Sequence, residues 1–360
     1  MRVLHISPTW FGDGSVVGGA ERYALELARA CAALTPTTLL SFGVRGSTHQ
    51  DGALRVRLIG HLPFRHALLA GNPLHPALYA EIRRADVVHC HQADTFATNA
   101  AVIACAMLGK RVFVSDLGGG HMYAPSLKLP ILPRATGLLL LSAYSKAMWE
   151  KAPAWRRPAR IAVIYGGVDL ARFRPGTDPV ENQVLFVGRV MRHKGVEHAI
   201  AAIAPPLRLV IAGRPYDPEY NAMLRAAAGP AVEFRERVSD DTLPALYGQS
   251  IATVVPSVYR TWGGGETTVP ELLGLVALES MACGTPAIVS AVASLPELVE
   301  DGVTGFVVPP NDPRAIADAV DVLVRDPARR AEMGRRGRAA VEARFTWAAT
   351  AERCLGAYAS

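Results

Sequence analysis

Two glutamates eight positions apart, Glu271 and Glu279, lie in the run Pro270-Glu271-Leu272-Leu273-Gly274-Leu275-Val276-Ala277-Leu278-Glu279-Ser280-Met281-Ala282-Cys283-Gly284-Thr285-Pro286. The pattern places Glu271 on a loop that turns at Gly274 into a helix, with Glu279 about one turn in, among apolar neighbours. The first turn of such a helix offers free N–H groups and a positive dipole end, which suit a diphosphate. Carboxylates on either side of that anion can accept hydrogen bonds from sugar hydroxyls. Spacing alone leaves a plainer reading open, in which Glu279 is a surface helix residue and Glu271 a helix-start charge. A second charged group stands upstream in Gly188-Arg189-Val190-Met191-Arg192-His193-Lys194-Gly195. Gly188 ends an apolar run, and Arg189 and Lys194 follow in a glycine-bounded loop. Two fixed cations there would stabilise a departing nucleoside diphosphate more than the intact donor, which lowers a barrier. A basic surface turn is the alternative.

Such residues need rigid elements to hold them. Short β-branched runs at Arg2–Ile6, Thr38–Phe42, Arg55–Ile59, Val87–Cys90, Val112–Val114 and Leu138–Leu141 alternate with helical periodicity at Ala20–Ala33 and Thr95–Leu108. The second helical run carries few charges and is expected to be buried. The segment Ile161–Pro175 starts as a strand, turns at two glycines and reads as a domain junction. Alternation then resumes, with strands at Gln183–Val187, Leu207–Ala212, Val232–Phe234, Ala252–Pro256, Pro286–Ser290 and Gly305–Val308 and helices between them. Alternation of this kind predicts α/β architecture: two Rossmann-like, doubly wound parallel-sheet domains facing a central cleft. The expected boundaries are 1–172 for an N-terminal acceptor-binding domain and 173–345 for a C-terminal donor-binding domain. The tail 346–360 is expected to pack back on the first.

The 360 residues suit two cores better than one. Half are apolar and 19% charged, as in globular proteins. No apolar run reaches the roughly 18 residues of a membrane-spanning helix, and the start lacks the pattern of a signal peptide, so a cytoplasmic protein is expected. The five cysteines are scattered without C-x-x-C spacing and read as small core side chains. Residues 1–180 hold 20 Lys+Arg against 11 Asp+Glu, a balance of +9, while the remainder stands at −3. A basic first half suits peripheral contact with an anionic inner-membrane face or a phosphate-bearing acceptor, or is an ordinary solvated surface. The arginines are dispersed and not interleaved with aromatics, which speaks against nucleic acid as a partner.

The stretch around the two glutamates resembles the retaining glycosyltransferases of family four, which have the GT-B fold. Their pattern P-E-G-x-G-L-x-x-x-E-A-M-A-x-G-x-P is met at Pro270, Glu271, Gly274, Leu275, Glu279, Met281, Ala282, Gly284 and Pro286, with Leu272 where glycine is usual. The resemblance implies that Glu271 holds donor-sugar hydroxyls and Glu279 the ribose. It implies that Gly188, Arg189 and Lys194, as G-R-x-x-x-x-K-G, form the diphosphate site, with Gly274 and Leu275 beside it. It extends to the loop Gly18-Gly19, which would line the cleft beside the transferred sugar. The family's histidine at the end of this strand is absent from its usual place, since Ser115 precedes Asp116; the resemblance implies that Asp116 or His121 takes its place at the sugar. His89 and His91, in Asp86-Val87-Val88-His89-Cys90-His91, would line the acceptor cleft or satisfy the core, and a zinc reading lacks further ligands in the sequence. The insert 259–268, with Trp262 among glycines, reads as a flap over the donor or as a surface loop.

The implied activity is transfer of a hexose from a UDP- or GDP-linked sugar to a glycan, lipid-linked or small-molecule hydroxyl, with retention. No cofactor or obligate metal is expected, because Arg189, Lys194 and helix N–H groups already supply positive charge. Two other readings are a nucleotide-sugar epimerase of the same architecture and a non-catalytic nucleotide-sugar-binding protein. A dinucleotide-dependent oxidoreductase is disfavoured, for no G-x-G-x-x-G follows the first strand.

Overall fold

The computed structural model describes residues 1–10, 19–43, 45–60, 74–118, 124–176, 182–268 and 270–360. The chain forms two compact units, Met1–Gly166 with Trp347–Ser360, and Gly167–Thr346.

The first unit holds β1 (Val3–Trp10), β2 (Thr37–Gly43), β3 (Ser47–Asp51), β4 (Leu54–Gly60), β5 (Val87–His91), β6 (Arg111–Ser115), β7 (Gly137–Leu140) and β8 (Ile161–Val163). They form one sheet in the order β3-β4-β2-β1-β5-β6-β7-β8. The pairing is parallel apart from β3, which lies antiparallel on β4. That edge was not expected. It is a hairpin, in which Gly52, at φ +59, opens the two-residue connection. Helices α1 (Gly19–Ala32), α2 (Ala77–Arg84), α3 (Phe96–Leu108) and α4 (Ala143–Glu150) belong to this unit. Thr95 caps α3 by accepting from Thr98 N–H, and Gly109 ends it in the left-handed conformation. One face of α3 buries Ala97, Ala101, Val102 and Cys105 against β1, β5 and β6. The other is open: Ile103 is 43% exposed and Met107 77%. The absence of charge therefore does not mean full burial here.

The second unit holds β9 (Gln183–Val187), β10 (Arg208–Ala212), β11 (Val232–Arg235), β12 (Ala252–Val255), β13 (Ala287–Ser290) and β14 (Gly305–Val308). All are parallel, in the order β11-β10-β9-β12-β13-β14. Counted within the unit this is 3-2-1-4-5-6, the doubly wound order. Its helices are α5 (Val196–Ala202), α6 (Pro218–Ala227), α7 (Leu243–Gly248), α8 (Leu275–Ala282), α9 (Pro313–Arg325) and α10 (Pro327–Arg344). Three of them begin with Asp-Pro. Asp217, Asp312 and Asp326 each accept a backbone N–H of the first turn, and the proline fills a position whose N–H has no helical partner. The chain ends in α11 (Trp347–Ala359), which belongs to the first unit and packs on α1. Among the described residues no helix is long and apolar enough to cross a membrane.

Candidate active site

In a doubly wound sheet the crossovers reverse direction between the first and fourth strands, and ligands bind in the crevice beyond the carboxyl ends there. In the second unit those strands are β9 and β12, which pair directly. After β9 comes Gly188, at φ +143, then a 3-10 turn over Arg192–Lys194 that closes at Gly195 with φ +60. A Cβ on Gly195 would sit 2.1 Å from the carbonyl oxygen of Pro256, which follows β12, so only glycine lets the two strand ends approach this closely. The turn delivers Lys194 to Glu271, and the two form an ion pair with side chains 17% and 13% exposed. Ser257 donates its hydroxyl to the same carboxylate oxygen at 3.2 Å. Ser257 is held in turn by Ser290, at the end of β13, whose hydroxyl reaches the Ser257 carbonyl at 2.5 Å.

Three residues after Glu271 the backbone turns at Gly274, at φ 90 and ψ 50, and α8 begins. A Cβ there would meet Leu295 Cδ2 at 2.7 Å. The first turn bond of α8 runs from Ala277 N–H to the Gly274 carbonyl, so the N–H groups of Leu275 and Val276 precede it. Glu279 follows within α8, 5% exposed, and accepts the Tyr247 hydroxyl of α7 at 2.9 Å. Tyr247 packs edge-on against Phe173. The two glutamates thus differ. Glu271 is half-buried and ion-paired at the sheet end, whereas Glu279 is a buried carboxylate held by a phenol.

Arg189 is exposed, its guanidinium 5.8 Å from the ring of Tyr216. His193 registers the local charge. Burial, with Lys194 and Arg189 beside it and Glu271 opposing, pushes its imidazole down to about 4. Arg192 points elsewhere, pairing with Asp217 and Glu219 and lying 4.9 Å over the Trp262 ring. The insert 259–268 is a pinned hairpin, with an antiparallel backbone bridge between Arg260 and Glu266, Trp262 against Tyr220, and the Tyr259 hydroxyl accepting from Ala293 N–H.

Several known proteins resemble this chain. The family model for glycosyl transferases group 1 matches residues 168–340, and that for glycosyltransferase family 4 matches residues 17–172. Alpha-maltose-1-phosphate synthase of Mycolicibacterium smegmatis (strain ATCC 700084 / mc(2)155) is 30% identical over an alignment of 273 positions that covers 68% of this chain and 68% of that one. The chain belongs to glycosyltransferase family 4. D-inositol 3-phosphate glycosyltransferase of Mycobacterium avium (strain 104) is 37% identical over 220 residues, 56% of this chain and 49% of that relative, so the match spans about half its length. Among solved structures, HepE from Anabaena in complex with UDP covers 100% of both chains with TM-score 0.76 at 19% identity, a likeness of fold. Membership makes the chain a glycosyltransferase, and the epimerase reading draws no support from these relatives.

In the transferase's first unit the sequence candidates lie differently. Gly18 and His121 fall outside the described residues. Gly19 opens α1, and a Cβ on it would meet nothing among the described residues within 4 Å. Asp116, after β6, has both carboxylate oxygens engaged, one by Trp149 Nε1 at 2.9 Å and the other by Gly118 N–H at 3.2 Å. Loss of water around it raises its pKa, against the opposing pull of the Trp149 bond. His91 is wholly buried and lines no open surface, which favours the core reading left open above.

Sequence reasoning missed its companion. The β1–β5 register sets His5 opposite His89, and His91 lies two residues on along the same face. His5 Nδ1 lies 3.0 Å from His91 Nε2, while His89 bonds Tyr358 at 2.6 Å and Ser115 at 2.8 Å. One nitrogen from each ring falls within 4.8 Å of the others, so the third imidazole that spacing did not supply is present. Yet these rings spend hydrogen bonds on one another and on neighbouring hydroxyls. His5 Nε2 and His91 Nδ1 stay buried without a partner among the described residues, at about 1–3 kcal/mol each. Sequence spacing also passed over Ser257 and Tyr247, which support the two glutamates; the one available signal was Ser257's place just beyond a buried strand.

Proposed function

We propose that the second unit binds a nucleoside diphosphate sugar beyond β9 and β12, and that its hexose passes with retention to an acceptor hydroxyl bound by the first unit. The observation that carries this is the Lys194–Glu271 pair, seated with Ser257 just before the first turn of α8. A diphosphate drawn to the helix N–H groups meets Lys194 and Arg189, and Glu271 remains to hold sugar hydroxyls. The acceptor oxygen attacks the anomeric carbon on the face from which the diphosphate leaves. The bond from that carbon to the phosphate oxygen breaks as the new one forms, and the acceptor proton passes to the departing phosphate. The cations and N–H groups stabilise the charge that grows on the leaving group, a role that needs no obligate metal.

HepE, which shares the fold, is described in complex with UDP, and this favours a uridine donor. The names of the two curated relatives carry a phosphate on product or acceptor, and the first half of this chain is basic, so the acceptor is taken to be anionic: a phosphorylated small molecule or a lipid-linked glycan, the latter reached by peripheral contact with an anionic membrane face. The test has two stages. A panel of nucleotide sugars is screened for thermal stabilisation, since a true donor raises the melting point by mass action. Product formation is then followed with Lys194→Ala and Glu271→Ala, each expected to lose about 10²–10³-fold in kcat while still folding. Undiminished turnover in both variants, or an altered free nucleotide sugar in place of a glycosylated acceptor, overturns the reading.

A further inference from the structure

A helix without charged side chains belongs in a core, and α3 has none. It nevertheless shows a face to solvent. Ile103 and Met107, one turn apart, are 43% and 77% exposed, with Ala106 exposed beside them. The elements packed on α3 extend this face. On one side α2 carries Tyr79, 46% exposed. On the other, between the 3-10 turns Pro125–Leu127 and Leu132–Arg134, Leu129 is 54% exposed. Exposed apolar side chains are ordinary when scattered, but four on adjoining elements around an uncharged helix form a patch.

Its border is basic. Arg83 stands one turn beyond Tyr79, Lys128 precedes Leu129, and Arg134 closes the second 3-10 turn, all of them exposed. Acids hardly offset them. In α2 the acid is Glu81, buried and paired with Arg55 and Arg84. From residue 96 to 135 the sequence has Asp116 alone, which Trp149 and Gly118 engage.

We propose that this face docks the first unit onto an anionic membrane surface, with α3 lying in the plane of the interface. The proposal rests on the acceptor reading above and names the surface that would bring the enzyme to a lipid-linked acceptor. A second copy of the chain would set basic border against basic border. An anionic bilayer matches both features, since acyl chains take up the Met107 and Ile103 side chains while headgroups meet Arg83, Lys128 and Arg134. With 13 residues α3 is too short to span a membrane, so it lies on one.

The full chain is floated with vesicles of phosphatidylcholine plus phosphatidylglycerol and with vesicles of phosphatidylcholine alone. It should rise with the anionic vesicles and be released by salt. Met107→Glu should abolish flotation, and Lys128→Ser should weaken it by about fivefold. Neither residue touches the candidate active site, so both variants should keep the wild-type melting point and its shift with donor. Equal flotation of wild type and Met107→Glu, or none with anionic vesicles, overturns the proposal. So does a dimer in light scattering that Met107→Glu splits, which would assign the face to a second copy. If no nucleotide sugar shifts the melting point while Met107-dependent flotation persists, the functional reading has failed and this one stands.

Discussion

The two sheets reverse their winding at equivalent places, between β1 and β5 in the first unit and between β9 and β12 in the second, but the side chains gathered there have opposite character. At β9 and β12 full charges meet at a half-buried opening, with Lys194 on Glu271, Arg189 nearby and helix N–H groups alongside. At β1 and β5 the polar groups are three imidazoles wholly out of water, walled by Tyr23 of α1 and Tyr358 of α11. Burial pushes His5 down to about 3 and holds His89 and His91 well below the usual range, so all three are neutral near pH 7. A shared winding thus fixes where side chains converge and leaves their chemistry open. In the second unit convergence gathers cations and helix N–H groups, the arrangement proposed to receive phosphate, and in the first it makes a polar core that is intolerant of charge.

That contrast breaks most visibly in acid. Each buried histidine has a folded pKa below its unfolded value near 6.5, so as pH falls the unfolded chain takes up protons first. The stability they contribute is complete above about pH 6.5 and is lost as pH drops towards the folded values, near 3 for His5. The loss approaches about 1.4 kcal/mol per pH unit for each of the three. The second unit has the partly exposed His193, lowered to about 4, in the comparable range. Hydrogen exchange followed from pH 7 to pH 5 should therefore show β1 and β5 losing protection well before β9 and β12. Simultaneous loss in both units would remove the distinction.

Much of this was legible in the sequence. Gln183–Val187 and Gly305–Val308 fall at the bounds expected for β9 and β14, because an apolar run between turn residues has few other places to go. The Lys194–Glu271 contact joins two motifs that sequence spacing had already singled out. What stayed hidden depends on tertiary registration. His5 joins His89 and His91 only through the parallel register of β1 and β5. Ser257, just beyond β12, and Tyr247 of α7 reach the glutamates through tertiary contact, and only Ser257's place after a buried strand marks either of them in sequence. The strand β3 is polar and exposed along its length, so it shows no alternation, and Asp51-Gly52 was its sole turn signal. For α3 the error lay in taking lack of charge as burial.

Glycine tests the comparison at intermediate size, since a helix in each unit begins at one. Gly274→Ala would place a side chain at φ 90, which costs about 1–2 kcal/mol, and press on the buried Leu295 for about 1–3 kcal/mol more. Gly19→Ala meets no atom of the described residues within 4 Å and should change stability by less than about 0.5 kcal/mol. Urea unfolding of the two variants measures the difference directly. A Gly19 variant as damaged as the Gly274 variant would mean that the first residue of α1 is as tightly constrained as the residue before α8.

The smallest effect is the sharpest probe, because it compares one chemical group in two settings. Tyr247 donates its hydroxyl to the buried Glu279 carboxylate, whereas the Tyr358 hydroxyl bonds the neutral imidazole of His89. A hydrogen bond to a charged group is worth about 1.5–3 kcal/mol, and one between neutral groups about 0.5–1.5 kcal/mol. Tyr247→Phe should therefore destabilise the protein roughly twice as much as Tyr358→Phe, and it should also weaken donor-induced stabilisation, because Glu279 would lose one of the partners that orient it. Tyr358→Phe should leave the donor shift unchanged. Equal costs for the two substitutions, measured at neutral pH by urea unfolding, would mean that the Tyr247 bond gains nothing from its carboxylate partner, and the electrostatic distinction between the two units would fail at its most local point.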